Sequence, residues 1–257
     1  MTLQRRGGAA AFSSSARAYD ETMAPALRPV AEEVVRRARL RPGERVLDLG
    51  TGTGNALELA AGEGRRVIGV DAAPGMLDLA RRRGLGAELV EADFAWLPLP
   101  DASVDVVLAV HALLFADDRI ATLREWRRVA KAGARLSLSV PGPRDVVPIS
   151  VLSPVYERHG LPWGDDYPTP ADVAAWASEA GWTGIRTDTD AAIVIPLRDE
   201  AHFRTWLRVG ARGRATAGWS RQRMDAFVRD LMDAAPRDGD GGFRLPFGAI
   251  YLTALCD

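Results

Sequence analysis

Arg45-Val-Leu-Asp-Leu-Gly-Thr-Gly-Thr-Gly-Asn55 decides the fold of this 257-residue chain. Val46, Leu47 and Leu49 read as a short buried strand, and Gly50, Gly52 and Gly54 read as a turn at its end. Residues 55–61 then read as a helix. Glycine at alternate positions lets the backbone turn sharply and leaves bare main chain against a ligand. The free N–H groups of the helix that follows would face that ligand.

Outward from this stretch the pattern alternates. Residues 67–71 read as a second strand and 74–83 as its helix, with Pro74 as a start signal. Residues 87–91 are a weaker third strand. Residues 104–110 are a near-continuous apolar strand, as expected in a parallel sheet covered on both faces. Residues 118–131 read as an amphipathic helix and 136–140 as a fifth strand. This rhythm predicts a doubly wound, mostly parallel α/β sheet. Upstream, residues 22–40 are helical by the spacing of Leu27, Val30, Val34, Val35 and Ala38. Residues 1–18 are small and polar and are expected to be loose.

After Pro141 the rhythm changes. Six prolines from 141 to 168 indicate irregular cover, with a helix expected over 146–158. Thr169 is an N-cap candidate for a helix that stops at Gly181. Residues 184–197 read as one or two strands and 199–234 as two helical stretches. Residues 249–255 read as a strand that returns into the sheet.

Composition removes several function classes. A net charge of −1 gives no reason to expect a nucleic acid or an anionic membrane as partner. The lone Cys256 excludes an internal disulfide framework. His111, His159 and His202 are too far apart in sequence to suggest a metal centre, so no metal is expected. The apolar runs at 9–12 and 106–116 are too short for a signal peptide core or a membrane span. The default setting is cytoplasmic.

Three carboxylates sit at strand ends, the edge where open α/β sheets bind ligands. Asp48, two residues before Gly50, suits a ligand with a positive amino group. Asp71, 23 residues later, suits ribose hydroxyls and disfavours a 2′-phosphate. Asp93, beside Phe94, could accept an adenine amino proton. Each has a plainer alternative: a cap on the glycine turn, a cap on the helix from Pro74, or a brace for a loop. The three in register with the turn are harder to explain as caps. The glycines run G-x-G-x-G, not the G-x-G-x-x-G of a dinucleotide site.

The sequence resembles class I S-adenosylmethionine-dependent methyltransferases of the small-molecule branch that includes the quinone-biosynthesis type. The stretches that carry the resemblance begin at Pro42, Val70, Glu91, Leu97 and Glu125, in the expected order. The resemblance implies a Rossmann-like seven-stranded sheet with helical insertions before the last strand. It implies one domain: an N-terminal lid and helix (1–40), a cofactor-binding core (41–140), cover and substrate-side insertions (141–248) and a final strand (249–257). It also implies S-adenosyl-L-methionine as cofactor. Gly50, Gly52 and Gly54 would meet its methionyl part, and Asp71 and Ala72 its ribose. Met76, Asp93 and Phe94 would meet the adenine, Val110 and His111 would lie near the sulfonium, and Tyr19 would close over the site. Leu114 or Phe115 stands where many relatives carry a histidine.

Methyl transfer from a sulfonium needs mainly alignment and exclusion of water. If the acceptor must lose a proton, His111 is the best placed base, with a pKa near working pH. Its plainer role is to line the pocket. A small-molecule acceptor would be covered by Trp163, Tyr167, Phe203, Trp206 and Trp219, or these rings simply pack the cover. Arg204, Arg208 and Arg212 fall four apart and read as one solvated helix face, or as a surface for an anionic substrate or RNA. Two alternatives stay open: a methyltransferase-fold protein that binds the cofactor without methylating, as a cyclase-type scaffold or a non-catalytic partner, and an NAD-dependent reductase.

Overall fold

The computed structural model describes residues 8–143, 149–161 and 167–257. Its main sheet contains β1 (Arg45–Leu49), β2 (Arg66–Asp71), β3 (Glu88–Glu91), β4 (Val104–Val110), β5 (Ala130–Pro141), β6 (Thr183–Asp190) and β9 (Ala249–Leu255). The order is β3-β2-β1-β4-β5-β9-β6. Strands β1 to β5 are parallel, and β9 runs antiparallel between β5 and β6. The fold is therefore the Rossmann-like, mostly parallel sheet expected from the alternation. A separate hairpin pairs β7 (Val194–Leu197) with β8 (Phe243–Pro246). Four residues of β8 carry too little pattern to announce a strand, and of 184–197 only β6 joins the main sheet.

Helices α3 (Asn55–Ala60), α4 (Pro74–Arg82) and α5 (Arg119–Val129) connect the parallel strands. Helix α4 buries Met76, Leu77 and Ala80 on one face. Helix α5 ends at Val129, two residues early. Gly133 is left-handed (φ 77°) and donates to the Cys256 carbonyl, which draws residues 130–135 into a long, irregular start of β5.

The N-terminus departs from expectation. Residues 8–18 are helical apart from the turn at Ser15, in α1 (Gly8–Ser14) and the start of α2 (Ala16–Ala38). Tertiary contacts hold them. The Gly75 N–H donates to Ser13 Oγ at 2.9 Å, and a Cβ at Gly75 would collide with the Ser13 carbonyl. Phe12 packs edge-on against Phe115, with ring centroids 5.2 Å apart. Helix α2 then lies on the sheet through Leu27, Val30, Val34 and Ala38, and Ser137 Oγ donates to the Val34 carbonyl at 2.7 Å.

The cover consists of α6 (Ile149–Arg158), α7 (Pro170–Glu179), α8 (Glu200–Leu207), α9 (Gly210–Thr216) and α10 (Arg221–Ala234). Thr169 caps α7 in a reciprocal box with Asp172. Three helices, not two, fill 199–234. Gly210 is left-handed (φ 58°) and its Cβ position lies 3.2 Å from the Phe12 ring, so the chain breaks there to meet α1. Among the described residues, no helix is long and apolar enough to cross a membrane.

Candidate active site

The carboxyl ends of β1, β2 and β4, the loop after β3 and the N-terminal helices enclose a cavity of about 400 Å³. That size suits a small-molecule site. Gly50, Gly52, Asp71, Ala72, Met76, Asp93, Phe94, Val110, His111 and Tyr19 all line it. Two of the expected residues do not. Gly54 caps α3 with φ 97°, beneath Ala80. Asp48 is almost wholly buried under a side recess of about 20 Å³ shared with Tyr19 and Thr51.

The glycine turn is tied to the end of β2. The Thr51 N–H donates to the Val70 carbonyl at 2.9 Å, and the Gly52 N–H donates to Asp71 Oδ2 at 2.9 Å. Asp71 Oδ1 accepts from the Ala73 N–H at 2.8 Å. Asp71 thus shapes the turn and the start of α4 while still lining the cavity, so capping and ligand contact are not exclusive. Burial raises its pKa against hydrogen bonds from the backbone of Gly52, Ala72 and Ala73. Replacing Asp71 with alanine removes acceptors for the turn and for any ribose. The expected loss of cofactor affinity is roughly 1.5–3 kcal/mol, the range for bonds to a charged group. Calorimetry checks this, and unchanged affinity would remove Asp71 from the site.

Asp48 accepts from Thr51 Oγ1 at 2.6 Å, so it does brace the turn. Burial pushes its pKa up to about 7, and Asp71 adds to the shift. Hydrogen bonds from Thr51 and the Leu57 backbone act the other way. Burial also raises the Tyr19 phenol, with Asp71 and Asp48 contributing, so it stays a neutral donor. Asp93 is exposed and accepts from the Ala95 N–H at 2.8 Å. Phe94 packs edge-on against Trp126, whose indole donates to the Phe94 carbonyl.

His111 differs from expectation in its chemistry. Its φ is 55°, uncommon for a residue with a side chain. That turn brings its N–H to the Ser139 carbonyl at 3.0 Å and its Nδ1 to Ser139 Oγ at 3.1 Å. Nε2 is buried without a hydrogen-bond partner, and the ring meets Phe247 edge-on. Burial holds the pKa down to about 3, so His111 does not titrate near working pH. A neutral imidazole with so low a pKa is a poor proton acceptor.

Of the rings expected in the cover, Tyr167 lines the cavity. Phe203 and Trp206 are core residues packed on each other, and Trp219 packs on Phe227 and His159. Trp163 lies outside the described residues. Phe12, Tyr156 and Phe227 also line the cavity, and no motif marked them.

The arginine row is broken by the loop between α8 and α9. Arg204 pairs with Glu200 and Asp225 at the surface, whereas Arg212 lines the cavity. The Arg212 guanidinium lies over Trp206, 4.1 Å from the ring centroid. Burial pushes its pKa below the ordinary value, and its Nε has no hydrogen-bond partner. A cation–π contact is worth roughly 0.5–2 kcal/mol. Burying an ion costs about several kcal/mol, so the ring alone does not offset the burial. Among the described residues, no group of three or more acidic, His or Cys side chains could hold a metal ion.

Sheet order and site together define the class I methyltransferase fold. A family model described as a methyltransferase domain matches residues 47–138. A malonyl–acyl-carrier-protein O-methyltransferase from Serratia marcescens is 36% identical over 138 residues, 54% of this chain and 54% of that protein. The chain thus spans about half the length of the first such curated relatives it matches. A demethylmenaquinone methyltransferase from Beutenbergia cavernae is 32% identical over 197 residues, 68% of this chain and 82% of that one. Among solved structures, the cyclase SpnF superposes with a TM-score of 0.59 at 20% identity, covering 89% of this chain and 80% of that one. The chain belongs to the class I S-adenosylmethionine-dependent methyltransferase family.

Proposed function

We propose that the chain binds S-adenosylmethionine in the 400 Å³ cavity and directs its methyl group to a small-molecule acceptor. The observation that carries this reading is the left-handed glycine turn bonded directly to Asp71 at the wall of that cavity. When bound, the cofactor supplies an activated methyl group on a sulfonium. Asp71 has oxygen lone pairs beyond its two backbone bonds to accept ribose hydroxyls. Gly50 and Gly52 leave the main chain bare where an amino-acid tail would lie. Met76 and Phe94 offer apolar contact to a base, with Asp93 beside them as acceptor. Phe12 and Tyr19 from the N-terminal helices, with Phe115 from the turn after β4 packed on Phe12, would close the cavity over the ligand. His111, held neutral, orients through Ser139 and does little as a base. The chemistry therefore asks for an acceptor that is nucleophilic without strong base catalysis, and alignment supplies the rate.

Within the family we favour the small-molecule branch, which includes quinone-biosynthesis enzymes. The likeness to the demethylmenaquinone methyltransferase supports the branch, not its substrate. We place the protein in the cytoplasm, without a nucleic-acid partner. The test is release of S-adenosylhomocysteine when the full chain is incubated with S-adenosylmethionine and a panel of metabolites. Acceptor-dependent release supports methyl transfer. Tight binding without release from any acceptor would favour a scaffold that binds without methylating, a role compatible with the fold shared with SpnF.

A further inference from the structure

Arg212 is an arginine with a buried guanidinium that lies over Trp206. It is the third residue of the short helix α9 and lines the cavity. Its Nε is shut off from solvent and unpaired. The ion pairs of this region go to Arg204 and Arg221, both on Asp225. The acidic groups acting on Arg212 are the phenols of Tyr156 and Tyr167, not a carboxylate. Among the described residues, Arg212 makes no ion pair. Leu161, Leu207 and Phe227 are among the apolar residues that line the same cavity, and among the described residues no carboxylate pairs with the guanidinium to offset the cost of burying its charge.

We propose that Arg212 anchors a carboxylate of the acceptor, so that the substrate is an otherwise apolar carboxylic acid. The inference rests on the methyl-transfer reading for the word acceptor, but the anion site stands on its own geometry. The guanidinium fork matches the two oxygens of a carboxylate. The phenols of Tyr156 and Tyr167 lie close enough to influence it. The apolar wall suits a hydrocarbon body rather than a second charged group. A phosphate monoester fits less well. It carries nearly two negative charges against one arginine, in a cavity already lined by Asp71, Asp93 and Asp117.

The test is calorimetry on the full chain with butanoate, octanoate and benzoate, each compared with its neutral amide, in the presence of saturating S-adenosylhomocysteine. At least one acid is expected to bind tenfold or more tighter than its amide. Arg212→Met should remove that preference, and Arg212→Lys should keep part of it. Arg212→Met should leave S-adenosylhomocysteine affinity unchanged and should melt no lower than the parent without ligand, since it removes an uncompensated buried charge. Equal binding of every acid and its amide would overturn the proposal. So would an Arg212→Met variant that keeps the acid preference, or one that loses affinity for S-adenosylhomocysteine, which would assign the arginine to the cofactor's own carboxylate. A separate titration with S-adenosylhomocysteine alone reads the cofactor assignment. If it fails while an acid still binds through Arg212, the anion site holds and methyl transfer does not.

Discussion

Gly52→Val is expected to weaken binding of S-adenosylhomocysteine about a hundredfold or more while the sheet still folds. Gly52 has φ 56°, a region that a β-branched residue adopts only under strain. Leaving that region would cost the Gly52 N–H its 2.9 Å bond to Asp71. Staying in it costs roughly 1–3 kcal/mol. A Cβ there has room, because its nearest neighbours are Tyr19 Cε1 at 3.8 Å and the Gly50 carbonyl at 3.9 Å. The two γ-carbons of valine then occupy the gap between turn and Tyr19, where the ligand must lie. Affinity should fall about a hundredfold or more, about 3 kcal/mol. Gly50 is a poorer probe, because a Cβ there would stand 2.6 Å from Ala112 Cβ and disturb the turn itself. A Gly52→Val protein with parental affinity and a parental circular dichroism spectrum would put the ligand elsewhere.

Asp48→Asn should change how stability depends on pH. The folded pKa of Asp48 is raised to about 7, against an ordinary value of 3.8. Below about pH 4 the group is protonated in both states and costs nothing. Between about pH 4 and pH 7 the unfolded chain releases the proton and the folded chain keeps it. Stability therefore falls as pH rises through that window, and the loss is complete above the folded pKa. Asparagine can still accept from Thr51 Oγ1 and does not titrate. The variant should match the parent near pH 4 and exceed it by on the order of a few kcal/mol at pH 8. Urea denaturation of both proteins at pH 4.5, 6 and 8 measures the difference. A gap that does not widen with pH would mean that Asp48 is ionised in the folded protein, stabilised by a partner the fold does not show.

The parallel core was legible because its signals are local. Strands ending in Leu49, Asp71 and Val110, a glycine turn and Pro74 at a helix start all lie within a few residues of what they specify. The wall facing them is built by contacts between distant residues. Phe12 reaches the cavity because Ser13 bonds to Gly75 and Gly210 makes room for the ring, 195 or more residues beyond it in sequence. A run of Ala and Ser carries no periodicity to announce that. Arg212 looked like one of a solvated row until the left-handed Gly210 turned it away from Arg204. The chemistry of His111 was hidden for the same reason. Burial, with the ring against Phe247, lowers its pKa although the bond to Ser139 acts the other way, and neither residue is near it in sequence.

The central claim is that the turn at Gly50–Gly54 and Asp71 form an S-adenosylmethionine site. Titration of the full chain with S-adenosylhomocysteine, alongside NADH, tests it most directly. Saturable binding of one S-adenosylhomocysteine per chain, with no heat from NADH, is the predicted result. Binding of NADH with none of S-adenosylhomocysteine would contradict it.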